Sequence, residues 1–137
     1  MSVQALATVV ERLNILIVDD DQGASRVLSP GLAAHGHRVS TAVDGASALE
    51  RLAKEMYDLV LIDTMMPGMN GVETLRQVKR LNPEVVTVIM TGRSQLEGFV
   101  SSTLWAGADG VLHKPVEVDA VLDLIARRRQ VQEDAPA

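Results

Sequence analysis

The sequence predicts an α/β fold: a doubly wound, five-stranded parallel sheet with helices on both faces. Three observations predict it. Short apolar runs alternate with longer segments of helical periodicity, the connections between them are brief, and two of the runs are continuously apolar. Strands that are covered on both faces have this continuous pattern. Regular alternation of strand and helix with short connections is typical of a parallel sheet.

The five strands are predicted at residues 15–18, 38–43, 59–62, 85–90 and 110–112. The second alternates in the manner of an edge strand, and the third and fourth are the continuously apolar ones. Apolar residues at helical spacing form five stripes between and after the strands. Their members are Val27, Leu28, Leu32 and Ala33; Ala48, Leu49 and Leu52; Val72, Leu75, Val78 and Leu81; Phe99, Val100, Thr103 and Leu104; and Val118, Val121, Leu122 and Ile125.

Length and composition indicate a single domain. A chain of 137 residues lies in the usual range for one domain. We expect an N-terminal extension at residues 1–12, the domain itself at 13–130, and a disordered tail at 131–137.

Charge and composition exclude several functional classes. The chain has no cysteine, which excludes disulfides and thiolate catalysis. Its net charge of -5 argues against a direct nucleic-acid partner. No apolar run approaches the ~20 residues that span a bilayer, and the first residues lack the pattern of a secretory signal. We therefore expect a cytoplasmic domain with no membrane partner.

Polar residues follow the predicted strands at their carboxyl ends. They are Asp19 and Asp20 after the first strand, Asp63 at the end of the third, Thr91 at the end of the fourth and Lys114 after the fifth. In an open parallel sheet the carboxyl ends of the strands form the ligand crevice, near the point where strand order reverses. The sequence therefore predicts that these residues line one pocket.

Three carboxylates in one pocket need cations, because at about 4 Å each like-charge pair costs roughly 4 kcal/mol at an effective dielectric of 20. Mg²⁺ suits the site, since it is usually held by one or two carboxylates together with phosphate and water. A phosphoryl group on Asp63 would add roughly two negative charges. Mg²⁺, the Lys114 ammonium and the Thr91 hydroxyl are the partners available for it. A carboxylate is an established nucleophile for forming an acyl phosphate.

With these residues the sequence resembles the response-regulator receiver family, over residues 13–129. The most specific stretch is DLVLIDTMMPGMNG at residues 58–71; ILIVDDD at 15–21, MTG at 90–92 and AGADG at 106–110 running into Lys114 and Pro115 support it by position. The resemblance implies the flavodoxin-like strand order 2-1-3-4-5. It also implies a phosphorylatable switch that receives its phosphoryl group from a sensor histidine kinase or a phosphotransfer protein. Such a domain is not an enzyme beyond self-directed phosphotransfer and autodephosphorylation.

The resemblance assigns the metal and the acceptor. Asp63 would be the phosphoacceptor and Asp20 a direct Mg²⁺ ligand, while Asp19 would act through water and the backbone carbonyl of Met65 would complete the ligands. Mn²⁺ is the other ion that such a site takes. Asp21 matches a position outside the metal pair and is interpreted as a solvated or helix-capping residue.

The resemblance also assigns the phosphate-binding side. Thr91 and Lys114 would hold the phosphoryl oxygens, and the minimal side chain of Gly92 would let the backbone approach them. The peptide bond between Lys114 and Pro115 would be cis, which only about 5% of X–Pro bonds are. Arg93, like Met65, occupies a position that varies across the family and influences the lifetime of the phosphoryl group.

One residue departs from the family pattern. Val111 occupies a switch position that usually carries Tyr or Phe, whose ring moves inward when the Thr hydroxyl turns towards the phosphate. We hypothesise that the conformational change at this face is smaller here, or relies on backbone shifts.

Other functional classes fit the sequence less well. The sequence lacks the G-x-G-x-x-G motif and the Walker lysine of nucleotide-binding domains. A phosphohydrolase with an aspartyl nucleophile needs a second acid two residues after it, and this chain has Met65 there. A receiver-like interaction module that signals without phosphorylation is the alternative, and Val111 keeps it open. Downstream we expect a protein target or an output domain on another chain, with a phosphorylation-dependent homodimer as a further partner state.

Overall fold

The structure is a computed structural model that describes residues 12–20, 22–63, 71–92 and 107–134, and of residues 128–134 only the backbone. Strands and helices alternate along the chain. Their order is β1 (Asn14–Val18), α1 (Gly23–Ala34), β2 (Arg38–Ala42), α2 (Gly45–Lys54), β3 (Leu59–Asp63), α3 (Gly71–Leu81), β4 (Val86–Thr91), β5 (Gly110–His113) and α4 (Val118–Asp134). All five predicted strands are present.

The strands form one sheet in the order β2-β1-β3-β4-β5, and every neighbouring pair is parallel. The predicted fold class and strand order are confirmed. Every residue of β3 is buried, as its continuously apolar sequence predicts, whereas the edge strands β2 and β5 are partly exposed. From β1 the chain first moves to β2 on one side and then returns to β3 on the other side of β1. The strand order therefore reverses between β1 and β3. The crevice at this switch point lies at the carboxyl ends of these two strands.

Side chains of the central strands alternate between two hydrophobic layers, because successive residues of a strand point to opposite faces. Ile15 and Ile17 of β1 pack with Leu28 of α1 and Val121 of α4. The intervening side chain of Leu16 belongs to the layer under α2 and α3. Helices therefore cover both faces of the sheet, α1 and α4 on one and α2 and α3 on the other.

Two large apolar residues of the predicted helical stripes are exposed in the described part of the chain. Val27 of α1 is 58% exposed and Leu81 at the end of α3 is 53% exposed. The buried face of α1 consists of Ser25, Leu28 and Leu32. Since successive residues of a helix differ by about 100° in direction, Val27 lies to one side of this face. The apolar stripe of α1 is therefore wider than the face that the helix buries.

The last helix of the structure extends beyond the predicted C-terminal end of the domain. Helix α4 continues to Asp134, so a disordered tail beginning at residue 131 was predicted too early. The stretch after Ile125 contains no Gly or Pro until Pro136, and its Arg, Gln and Glu residues favour a helix. Residues 1–11 and the fourth predicted helical stripe, at residues 99–104, lie outside the described residues. In the described part of the chain no helix has the length and apolar character needed to cross a membrane.

Candidate functional site

The carboxyl ends of β1 and β3 bring three aspartates together. Val18 and Ile62 are partners in the parallel register, so the residues that follow them are neighbours. One carboxylate oxygen from each of Asp19, Asp20 and Asp63 lies within 4.8 Å of the other two. Asp19 and Asp63 are 2% and 1% exposed, while Asp20 faces solvent. The structure thus brings together the three acids that the sequence placed in one pocket.

Asp19 is also bound to the first turn of α1. Its Oδ2 atom accepts hydrogen bonds from the backbone N–H groups of Ala24 at 2.8 Å and Ser25 at 3.4 Å. Gln22, the residue before the helix, has a left-handed backbone with φ 62° and provides no side-chain cap. Asp19 therefore satisfies amides that an N-cap residue would ordinarily satisfy. The positive end of the helix dipole stabilises its buried charge.

Lys114 contacts the carboxylate of the central strand. Its Nζ atom lies 2.7 Å from Oδ1 of Asp63, and its side chain is 34% exposed. The backbone N–H of Lys114 donates to the carbonyl oxygen of Thr91 at 2.8 Å, which fixes the start of the connection after β5. The peptide bond between Lys114 and Pro115 is cis, as the resemblance implies.

Thr91 and Gly92 lie at the end of β4, beside β3. Asp63 pairs with Met90, so Thr91 is one residue further along the neighbouring strand. Thr91 is fully buried, and its hydroxyl donates to the carbonyl oxygen of Gly92 at 3.3 Å. A Cβ added at Gly92 would meet no atom of the described residues within 4 Å.

Of four further predicted positions, the structure describes one. Val111 lies on β5, pairs with Ile89 and is partly buried, so the face at this edge strand has an aliphatic side chain at the expected position. Met65 and Arg93 lie outside the described residues, as does Asp21.

Asp109 supports the site in a way that the sequence reasoning missed. Its Oδ2 atom accepts hydrogen bonds from the backbone N–H of Thr87 at 2.9 Å, from the Thr87 hydroxyl at 3.3 Å and from Nζ of Lys79 at 2.7 Å. These bonds hold the start of β5 against β4. They thereby fix the register that brings Lys114 next to Thr91. Hydrophobic periodicity does not identify a residue with this role. The only sequence signal for Asp109 is that an acidic residue comes directly before a strand.

His37 is a buried titratable residue far from this edge. It precedes β2 and is 5% exposed, and its Nδ1 atom accepts a hydrogen bond from the backbone N–H of Leu13 at 3.2 Å. Burial, and secondarily the nearby His35, lower the pKa of His37 from its ordinary value of 6.5. His37 therefore serves packing beside the first residue of β2.

The acidic group has the chemistry of a hard-cation site. All three of its side-chain donors are carboxylate oxygens, which suit Mg²⁺ or Mn²⁺ better than softer metals that prefer sulfur or imidazole. The neighbouring Lys114 ammonium supplies a second positive group. The site can therefore hold a divalent cation and a phosphate at once, next to the buried carboxylate of Asp63.

Comparison with known proteins identifies the family. Residues 15–126 match the family model described as the response regulator receiver domain. The solved structure of a CheY-like response regulator receiver domain protein from Methanospirillum hungatei JF-1 superposes with a TM-score of 0.80 at 32% identity, covering 90% of this chain and 98% of that chain.

Curated relatives are longer proteins. Transcriptional regulatory protein ZraR of Klebsiella oxytoca is 39% identical over 109 residues, which are 80% of this chain and 24% of the relative. DNA-binding transcriptional regulator NtrC of Escherichia coli K12 is 37% identical over 118 residues, 86% of this chain and 25% of the relative. The chain thus spans about a quarter of the length of these relatives. With a family match over most of its length, the chain belongs to the response regulator receiver domain family.

Proposed function

We propose that this two-component receiver domain accepts its phosphoryl group on Asp63, next to a Mg²⁺ ion held by Asp20 directly and by Asp19 through water. The observation that carries the proposal is the position of Asp63 between the acidic group, which would hold the cation, and the ammonium group of Lys114. Its carboxylate belongs to the acidic group and also lies 2.7 Å from Nζ of Lys114. Receiver domains bind Mg²⁺ at an acidic group of this kind. The backbone carbonyl of Met65 is the further protein ligand in the proposal.

The transfer itself requires little covalent chemistry from the protein. A carboxylate oxygen of Asp63 forms a bond to phosphorus while the P–N bond of a phosphohistidine donor breaks, and the donor imidazole keeps the electron pair and takes up a proton. Bound Mg²⁺ supplies charge neutralisation for the phosphoryl oxygens. Catalysis of this kind depends mainly on positioning and electrostatic stabilisation. The Lys114 ammonium, already in contact with Asp63, moves onto a phosphoryl oxygen and balances part of the roughly two added negative charges.

Thr91 supplies the conformational readout of this chemistry. Its hydroxyl makes a hydrogen bond of 3.3 Å with the carbonyl oxygen of Gly92, which is long for an O–H donor. Donation to a phosphoryl oxygen is charge-assisted and therefore stronger. Phosphorylation of Asp63 thus draws the Thr91 hydroxyl towards the phosphoryl oxygens. Arg93 and Met65 are the proposed modulators of phosphoryl lifetime.

The partners follow from the same assignment. The phosphoryl donor is a sensor histidine kinase or a phosphotransfer protein, and the output is a protein target or an output domain on another chain, with a homodimer formed on phosphorylation. The names of ZraR and NtrC describe transcriptional regulators, and that of NtrC a DNA-binding one. The net charge of -5 does not favour a direct DNA contact by the domain itself. We assign it to the cytoplasm and give it no substrate beyond its own aspartate.

The assignment of Asp63 is tested by phosphorylation with a small donor. The protein is incubated with phosphoramidate or acetyl phosphate and Mg²⁺, and its intact mass is measured. The wild type and an Asp123→Asn control, altered on the exposed face of α4, are expected to gain one phosphoryl group. Asp63→Asn is expected to gain none. A gain that persists in Asp63→Asn would move the acceptor elsewhere, and no gain in the wild type with either donor would favour the interaction module that signals without phosphorylation.

The proposal for Val111 has a separate test. Backbone chemical shifts are compared with and without beryllofluoride, which mimics the phosphoryl group. Val111 is a partly buried aliphatic residue with no ring to move inward. We therefore expect small changes over residues 96–116. Large changes throughout this segment would contradict the hypothesis of a reduced response.

A further inference from the structure

Helices α1 and α4 approach each other unusually closely at Gly31. A Cβ built on Gly31 would overlap Cγ2 of Val118 and would lie 3.2 Å from its Cγ1 and 3.3 Å from its Cβ. The described glycines with positive φ are Gly36 and Gly107, so Gly31 does not serve an unusual backbone conformation. The absence of a side chain is needed here for the close contact between two helices.

Helix α1 has little freedom to move away from such a contact. Leu28 and Leu32, which flank Gly31 on the buried face, are fully buried in the core layer that α1 shares with α4. The first turn of α1 is bound through the Ala24 amide to the buried carboxylate of Asp19. An added methyl group at Gly31 must therefore be accommodated mainly by displacement on the other side of the contact.

The other side of the contact is the start of α4. Rotation of the Val118 side chain does not move its Cβ, which lies 3.3 Å from the added carbon. The backbone of Val118 must therefore yield as well. Only three residues separate Val118 from Lys114. Within this connection Val116 is 7% exposed in the same core layer, and the carbonyl of Glu117 accepts hydrogen bonds from the first turn of α4. A short, packed connection transmits a displacement of Val118 towards Lys114.

We propose that Gly31 is a positioning residue for Lys114. By allowing α4 to begin close to α1, Gly31 sets the path of the connection that brings Nζ of Lys114 to 2.7 Å from Asp63. The inference rests on the proposed role of Lys114 in phosphorylation of Asp63. It adds a residue on a different helix whose effect is exerted through packing and not through contact with the phosphoryl group.

The test is the rate of phosphorylation by phosphoramidate and Mg²⁺ in the full chain, followed by intact mass. Helix propensity alone would make Gly31→Ala a stabilising change. We expect instead a slower reaction, by about tenfold, within the roughly hundredfold that a 1 Å misplacement can cost. Val118→Ala is expected to react at close to the wild-type rate. The double variant Gly31→Ala with Val118→Ala is expected to recover most of the loss, because the overlapping methyl groups are gone.

A second comparison shows whether the effect acts through Lys114. In a Lys114→Ala background, Gly31→Ala should cause no further loss of rate, because the group it positions is absent. A loss of the same size in both backgrounds would overturn the proposal, as would a Gly31→Ala variant that is folded by circular dichroism and reacts at the wild-type rate. If Gly31→Ala alone fails to fold, the rescued double variant is compared with Val118→Ala, and unequal rates would overturn it. Failure of the wild type to react would instead refute the proposed function.

Discussion

Asp20→Asn is predicted to stabilise the metal-free protein, although it removes a proposed Mg²⁺ ligand. Asp20 is exposed and shares the acidic group with Asp19 and Asp63, which are both buried. Asparagine keeps the size of the side chain and removes its charge. The change leaves intact the contact of Lys114 with Asp63 and the hydrogen bonds of Asp19 to α1. It therefore isolates the repulsion between carboxylates.

The magnitude follows from the separation of the carboxylates. At 4.8 Å, the upper limit of the oxygen–oxygen distances in the group, a like-charge pair costs about 3.5 kcal/mol at an effective dielectric of 20 and about 0.9 kcal/mol at that of water. Asp20 takes part in two such pairs. Because its side chain faces solvent, the lower figure is appropriate, and the lost attraction to Lys114 offsets part of the gain. We expect the free energy of unfolding to rise by about 1–2 kcal/mol in the absence of divalent cations.

The assay is urea unfolding followed by circular dichroism, in EDTA at low ionic strength and again in 1 M NaCl. At 1 M salt the Debye length is about 3 Å, which is shorter than the separation of the carboxylates, so the difference between variant and wild type should shrink. Mg²⁺ at 100 times its dissociation constant is expected to stabilise the wild type by about 2.7 kcal/mol. The same concentration should stabilise Asp20→Asn much less. Asp123→Asn, outside the acidic group, is the control for loss of one negative charge.

Two results would refute this reasoning. One is equal stability of Asp20→Asn and the wild type in EDTA at low salt, which would mean that the acidic group carries no net repulsion. The other is equal stabilisation of both proteins by Mg²⁺, which would mean that Asp20 does not contribute to the ion site. A gain of the same size in Asp123→Asn would assign the effect to the net charge of the chain.

Three other predictions concern residues outside the acidic group. His37 accepts a hydrogen bond from Leu13 and has a pKa below its ordinary value of 6.5. As the pH falls, the unfolded chain therefore takes up a proton on His37 at a higher pH than the folded protein does. The free energy of unfolding should fall as the pH drops below about 6.5. His37→Asn should flatten this part of the pH profile in urea titrations, and an unchanged profile would contradict the assignment. Ser29→Ala should raise the free energy of unfolding by about 1 kcal/mol, because the buried Ser29 hydroxyl has no hydrogen-bond partner among the described residues; a loss of stability would indicate a partner. Asp109→Ala should lower it by about 1–3 kcal/mol by leaving the Thr87 N–H without its acceptor, and it should speed hydrogen exchange of the Thr87 amide; unchanged exchange would count against the bond.

The sequence predicted best those features that depend on one strand at a time. The continuous apolar run of β3 required burial on both faces, and the structure buries all of it. The acids, Thr91 and Lys114 could be assigned to one edge because each follows a strand, and parallel strands end at the same edge. The order of the strands needed the family resemblance, since apolar runs carry no information about which neighbours pair.

Features that depend on two elements at once were not predictable from local patterns. The sequence interpretation left Asp21 as a solvated or helix-capping residue and gave no reason to expect Asp19 at the helix. In the structure Asp19 accepts a hydrogen bond from the first turn of α1, where Gln22 has a left-handed backbone and provides no side-chain cap. In the same way, Gly31 gives no sequence signal, and its role emerges only from the proximity of Val118.

Helix α1 is connected to the phosphorylation site by two kinds of interaction. The first turn of α1 interacts electrostatically with the carboxylate of Asp19. The third turn of α1 is in steric contact with the start of α4 through Gly31. Salt separates the two, because ions screen charges and do not relieve overlap between atoms. The effect of Asp20→Asn on stability should therefore fade in 1 M NaCl, whereas the slower phosphorylation of Gly31→Ala relative to its double variant with Val118→Ala should persist. Fading of both would mean that α1 responds to the site through charge alone.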